Sequence, residues 1–232
     1  MNRRRLSCAL ALLLLFAAPA SPQGGGAARR PDSPKVFREA GKISEGSSDS
    51  FEFELEGFTY KIAWNGAGRR IKGGSTRLFN LRLDGGDFLE RVYYALHREN
   101  VILLCEVTDG ESGAGFVARL EQPSMRARWK RHIPAFNVGP GLIEEEHVYL
   151  TGIGFVARLD LRKGEFVWEH EDLYRKEDGS FNSFETPTVE GDAVLFKERP
   201  ARDAPARTLR VHRRTGKILG GIEKGSGVQL KP

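Results

Sequence analysis

Cysteine is nearly missing from this chain, two in 232 residues, and its scarcity limits what the fold can rely on. Cys8 lies within residues 1–20, which have the marks of a removable leader, so Cys105 afterwards stands alone and no intrachain disulfide can form. Between Leu104 and Val107, Cys105 is expected as a buried, inert thiol. A long apolar run is also missing, since Ala9 to Phe16 is too short to span a bilayer. No long amphipathic helix can be read anywhere, and no stretch concentrates basic residues as a phosphate-binding face would.

What is present begins with the leader. Arg3, Arg4 and Arg5 precede the apolar Ala9 to Phe16, and Ala18-Pro19-Ala20 follows, the three regions of a secretory signal peptide over residues 1–20. The leucine-rich run favours the general secretory route over a twin-arginine one, and Cys8 precedes the apolar run, where an acylated lipoprotein cysteine does not stand. The mature chain is therefore expected to be periplasmic or secreted, without a transmembrane anchor. Losing three arginines and no acid takes the formal charge from +5 to +2, too balanced for a nucleic-acid partner.

Residues 21–50 are rich in glycine, serine, proline and charge and poor in large apolar side chains, the composition of a flexible leader. A folded domain is expected over 51–232. FEFELE at 51–56 alternates Phe51, Phe53 and Leu55 with Glu52, Glu54 and Glu56, a half-buried strand. Phe58 to Trp64 reads as the next strand, and Gly66 to Gly74, with Arg69, Arg70 and Lys72, as a loop whose charge is a solvated tip. Leu78 to Leu83 and Arg91 to Leu96 read as strands on either side of an Asp84-Gly85-Gly86 turn. Val101 to Val107 is continuously apolar, as in a strand covered on both faces.

The chain then repeats itself. FVARLEQPSMRARW (116–129) returns thirty-nine residues later as FVARLDLRKGEFVW (155–168), each copy preceded by a glycine, Gly115 or Gly154. A weaker third copy, TLRVHRRTGKIL (208–219), has Gly216 in the place of Gly164 and Gly220 where the tryptophan would stand. An insertion at Pro200 to Pro205 stretches its period to fifty-two residues. Gly164 suits a hairpin turn needing positive φ. Pro123-Ser124-Met125 in the earlier copy implies a turn of another type. A period near forty indicates a β repeat of propeller type, about fifteen short strands in all.

GFVARLDLRKGEFVWEHE resembles the repeat of the quinoprotein-like, or PQQ-like, β-propellers, in which a strand ending in Leu-Asp leads through a Lys-Gly turn into a strand ending in tryptophan. TLRVHRRTGKIL is similar. The resemblance covers roughly 101–222 and more loosely 51–96. It implies an all-β, small or partial β-propeller of about four four-stranded blades. Phe155, Val156, Leu159, Phe166 and Trp168 would then pack between blades. FEFELE is expected to close the ring by pairing beside Ile218 to Ile222, which favours a monomer over a dimer. Some similar proteins hold pyrroloquinoline quinone with calcium and oxidise alcohols or sugars. This chain lacks the adjacent cysteine pair of the alcohol dehydrogenases and any acidic cluster that would supply calcium's oxygens.

No catalytic, cofactor-binding or metal residue is assigned. Glu144-Glu145-Glu146-His147 and Glu169-His170-Glu171-Asp172 lack the i, i+4 spacing that sets two ligands on one metal. Ser180 to Ser183 lacks the glycines of a nucleophile elbow, and His97, His132 and His212 stand alone. The expected function is an exported, non-enzymatic module that binds another envelope or secreted protein through rim loops or an exposed strand edge. The alternative is a small-molecule or glycan site on the blade axis, with the aromatic and polar loop residues around Phe181 to Phe184 as candidates, and the third reading is a quinone-dependent oxidoreductase.

Overall fold

A computed structural model describes residues 33–42, 50–175, 183–199, 206–220 and 228–229. The signal-like residues 1–20, the adjoining 21–32 and the insertion at Pro200 to Pro205 lie outside them. Two short strands come first, β1 (Lys35–Val36) and β2 (Arg38–Lys42). The first sheet holds β3 (Ser50–Leu55), β4 (Phe58–Ala63), β5 (Ala67–Lys72) and β6 (Ser75–Asn80). The second holds β7 (Phe88–His97), β8 (Asn100–Thr108), β9 (Gly113–Glu121) and β10 (Arg126–Ile133), and the third β11 (Leu142–Glu144), β12 (His147–Gly152), β13 (Phe155–Asp160) and β14 (Glu165–His170). After β15 (Tyr174–Arg175) come β16 (Thr188–Glu190), β17 (Ala193–Lys197), β18 (Thr208–His212) and β19 (Ile218–Gly220) in the fourth sheet, then β20 (Val228–Gln229), which pairs with β15.

Each sheet is antiparallel and runs in chain order, and β2 and β1 add beside β7 and β11 to make the second and third sheets five-stranded. The protein is thus all-β, with four antiparallel sheets of four or five strands and no helix among the described residues. The three repeat copies occupy the same place in successive sheets, FVARL at 116–120 in β9, FVARL at 155–159 in β13 and TLRVH at 208–212 in β18.

Three apolar clusters bind the sheets in sequence. Phe51, Phe53, Tyr60 and Ile62 of the first sheet meet Val101, Leu103, Cys105 and Val107 of β8. Ile102 and Leu104, on the other face of β8, meet Val148, Leu150, Phe155 and Leu159 of the third sheet. Tyr149, Val156 and Trp168 on the far side of that sheet meet Val194, Phe196, Leu209 and Val211 of the fourth. The continuous apolar run of β8 is explained by this two-sided burial, and the Cys105 thiol inside it is fully buried, its pKa pushed far up by desolvation.

Several sequence expectations need correction. The folded region begins before Phe51: β1 and β2 are strands, and Phe37 between them is buried against the second and third sheets, its amide donating to Gly141 O at 3.1 Å. Main-chain pairing to a sheet edge asks little of side chains, so a leader-like composition hid it. Gly66 to Gly74 is not a loop, because β5 runs through it and Arg70 is buried. Gly68 is a packing site, since a β-carbon there would fall 2.2 Å from Phe79 Cζ.

Asp84-Gly85-Gly86 links two sheets and is no hairpin. β6 ends at Asn80, whose Oδ1 takes the Arg82 amide at 2.6 Å with Arg82 at φ 49°.

The turn before Arg126 is, as expected, of another type than its later copies, with a cis Gln122–Pro123 peptide bond that they lack, yet it closes in the same way. Met125 has φ 60° against 71° at Gly164 and 74° at Gly216, and in each the amide bonds back four residues, to Glu121 O, Asp160 O and His212 O.

Among the described residues FEFELE does not close a ring, and Ile222 of its expected partner segment lies outside them. β3 pairs with β4 alone among the described residues, and no apolar cluster there joins the first sheet to the fourth. Phe51 and Phe53 face the second sheet, so the outward side carries Glu52, Glu54, Lys61 and Arg69 together with the exposed Leu78. The Glu56-Gly57 turn, at φ 52° and 70°, matches the right-handed twist of its two strands.

Candidate functional site

The residues that make the repeat conspicuous are spent on joining sheets. Arg158 Nη1 and Trp168 Nε1 each donate to Arg213 O at 2.9 Å, and His170 Nε2 lies 2.7 Å from Gly216 O. One repeat earlier, Arg119 Nη1 and Trp129 Nε1 donate to Leu161 O at 2.9 and 3.2 Å, and Arg131 Nε to Gly164 O at 2.6 Å. Arg70 does similar work at the first joint, donating to Pro123 O at 3.2 Å. Each of the first three sheets thus clamps the turn between the third and fourth strands of the next, and the arginine of FVARL is engaged in that joint. Only the tryptophan's packing was legible from sequence, because hydrogen bonds to main-chain carbonyls leave no mark on the residue that accepts them.

The acidic and histidine runs are dispersed by the same architecture. Glu144 accepts from Tyr149 Oη at 3.1 Å and from Arg213 Nη1 at 3.0 Å, while Glu146 faces the other way, to His97 and Arg98. Burial holds both His97 and His147 below the ordinary histidine range. Burial also raises the Glu169 carboxyl, helped by Glu171. His132 is exposed on β10, and His212 Nδ1 takes the Thr215 amide at 3.3 Å. Among the described residues no three His, Cys, Asp or Glu side chains gather as a metal site.

Of the proposed aromatic wall, Phe184 is buried edge-on against Phe196 and belongs to the third cluster, while Ser180, Phe181 and Asn182 lie outside the described residues. A buried pair missed by sequence reading closes the neck of the adjoining insertion: Arg207 Nε donates to Glu198 Oε2 at 2.8 Å and Nη2 to Oε1 at 2.5 Å.

Two aromatic side chains have no such structural employment. Strand direction alternates, so the turns between second and third strands fall at the same end as the links from sheet to sheet. Trp64, in the β4–β5 turn, and Phe136, in the link from β10 to β11, both lie at that end, 47% and 51% exposed. Both are held by backbone bonds. Leu89 donates to Trp64 O at 2.7 Å, Ile153 to Phe136 O at 3.0 Å, and the next amide, that of Asn137, to the buried Glu106 carboxylate. Asp84, Asp109, Glu111, Glu171 and Asp172 are exposed in turns and links at the same end, as is Arg82. The Asp109 carboxyl is held below its usual range by the amides of Ser112 and Glu111, which fixes its loop. The arrangement is an ordered, acidic surface with two apolar anchors.

Fold and site together define an all-β repeat protein of four sheets joined in series. No model of a known protein family matches the chain, and no curated protein matches it. Among solved structures it is similar to the crystal structure of the computationally designed Ika8 protein, at 10% identity, with 82% of this chain and 79% of that chain covered and a TM-score of 0.35.

Proposed function

We propose that this chain is an exported, non-catalytic β-propeller, small or partial, built from four PQQ-like blades, and that it binds another envelope or secreted protein through the loop end carrying Trp64 and Phe136. The observation that carries this reading is the exposure of those two rings on hydrogen-bonded backbone. Exposed aromatics on ordered backbone offer contact area at little entropic cost. The surrounding carboxylates suit a partner with a basic surface. The charged outer side of the first sheet supports a monomer.

The test is co-purification from the envelope fraction with tagged protein. One protein should be retained by the parent and lost by the Trp64→Ala/Phe136→Ala double variant at unchanged melting temperature. Equal retention by both would sink the loop-end assignment. Export is tested separately by N-terminal sequencing of protein recovered from the cell envelope, which should begin within a few residues of Ser21.

A further inference from the structure

One short piece of chain covers the innermost strands of two sheets. β1 pairs with β11 through Lys35 and Val36, and β2 with β7 through Arg38, Glu39, Gly41 and Lys42. Of residues 33–40, Phe37 is the one buried side chain, while Lys35, Val36, Arg38 and Glu39 are exposed. Its ring joins Tyr93, Ala95 and Ile143 in the second cluster, and its amide donates to Gly141 O at 3.1 Å. A β-carbon on Gly141 would come within 3.0 Å of Tyr149 O and 3.4 Å of Phe37 Cδ2, so the bare glycine lets the segment lie close. Ala40 adds only a methyl group against the first cluster, and Glu39 a 3.5 Å ion pair with Arg91 that is half open to solvent. The segment is thus held by main-chain bonds, which any extended chain can make, and by one ring in one pocket. It should come away at a lower cost than β8, whose side chains are buried on both faces.

We infer that the inner edges of β7 and β11, with the ring pocket between them, form a peptide-binding site. Its resident is the chain's own residues 35–42, and a partner protein enters by exchanging for them an extended segment that carries one aromatic ring. Main-chain pairing supplies the affinity and the pocket the selection. Charge selects little, since Lys35, Arg38 and Glu39 of the resident are all exposed and of both signs. Covalent attachment gives the resident an effective concentration on the order of millimolar, so removing its ring is what admits a free peptide. The inference shares with the loop-end reading only the premise that the partner is a polypeptide.

The experiment uses the full chain and a fluorescent, end-capped peptide SPKVFREAGK, the sequence of residues 33–42, read by polarisation. The Phe37→Ala chain should bind it at least tenfold more tightly than the parent does. A peptide with alanine in place of its phenylalanine should bind that variant at least tenfold more weakly. Adding Trp64→Ala/Phe136→Ala to the variant should change neither result, so failure of the loop-end reading leaves both untouched. Hydrogen exchange of the parent decides the matter if Phe37→Ala does not fold: the Phe37 amide should exchange at least tenfold faster than those of Ile102 to Leu104 in β8. No binding to a folded Phe37→Ala chain, equal binding of the two peptides, or a Phe37 amide as slow as those of β8 overturns the inference. A parent dimer in light scattering that excess peptide dissociates overturns it in favour of segments swapped between two copies.

Discussion

Trp168 lies so close against Gly216 that a β-carbon built on the glycine would fall 2.7 Å from both Cβ and Cγ of the tryptophan. Trp129 stands in the same relation to Gly164, where the nearest ring atom would be 2.5 Å away. Each glycine therefore answers two demands, positive φ and the absence of a side chain. Gly216→Ala and Gly164→Ala should each destabilise by about 2 to 5 kcal/mol, summing left-handed strain and overpacking. Gly191, at φ 57° with open space about it, isolates the first term, so Gly191→Ala should cost only about 1 to 2 kcal/mol. Urea denaturation of the three variants would refute this account if they fell equally.

Met125 takes the glycine's place where the fourth strand of the preceding sheet, β6, offers no tryptophan, and its side chain is 1% exposed. Truncation to alanine should cost about 2 to 5 kcal/mol by emptying the site. Met125→Gly should be about 1 kcal/mol more stable than Met125→Ala, because φ 60° suits glycine. The opposite order in chemical denaturation would mean that the side chain, and not the turn, sets the cost.

The tryptophans separate by role. Trp168 is 9% exposed with its indole N–H engaged, so Trp168→Ala should destabilise by about 3 to 5 kcal/mol. Trp64→Ala should stay within about 1 kcal/mol of the parent. Thermal and urea unfolding both read this difference.

Phe37→Ala should cost about 3 to 5 kcal/mol, since the ring sits at 4% exposure in the cluster between the second and third sheets. A variant as stable as the parent would return the segment to the status of an undocked leader.

Stability should fall in acid in two stages. His97 and His147 are held below the ordinary value chiefly by burial, whereas in the unfolded chain they titrate at about 6.5. The unfolded state thus binds protons first. The histidines' contribution is complete above about pH 6.5 and is lost as the pH drops toward their folded values. For Asp160 burial pushes upward, but hydrogen bonds from the Arg162 and Lys163 amides prevail and hold the carboxyl low. Its contribution is present above about pH 4 and lost below. His97→Gln/His147→Gln should flatten the upper stage alone, and Asp160→Asn the lower. Denaturant midpoints measured across pH would show whether the stages separate.

Signals carried by side chains survived into the structure. Alternation in FEFELE placed Phe51 and Phe53 inward, the unbroken run at Val101 to Val107 became a strand buried on both sides, and the FVARL copies fell on equivalent strands. These depend on the period of side-chain burial, which a sequence displays directly. What depends on the main chain had to be seen in three dimensions. Lys35 to Lys42 docks by edge hydrogen bonding that any residue can make, Arg70 reaches a carbonyl fifty-three residues away, and Met125 adopts a glycine's backbone because tertiary packing outweighs its local cost. Whether the row of sheets closes also belongs to tertiary structure. Among the described residues β3 turns its phenylalanines toward the second sheet, and local alternation leaves both directions open.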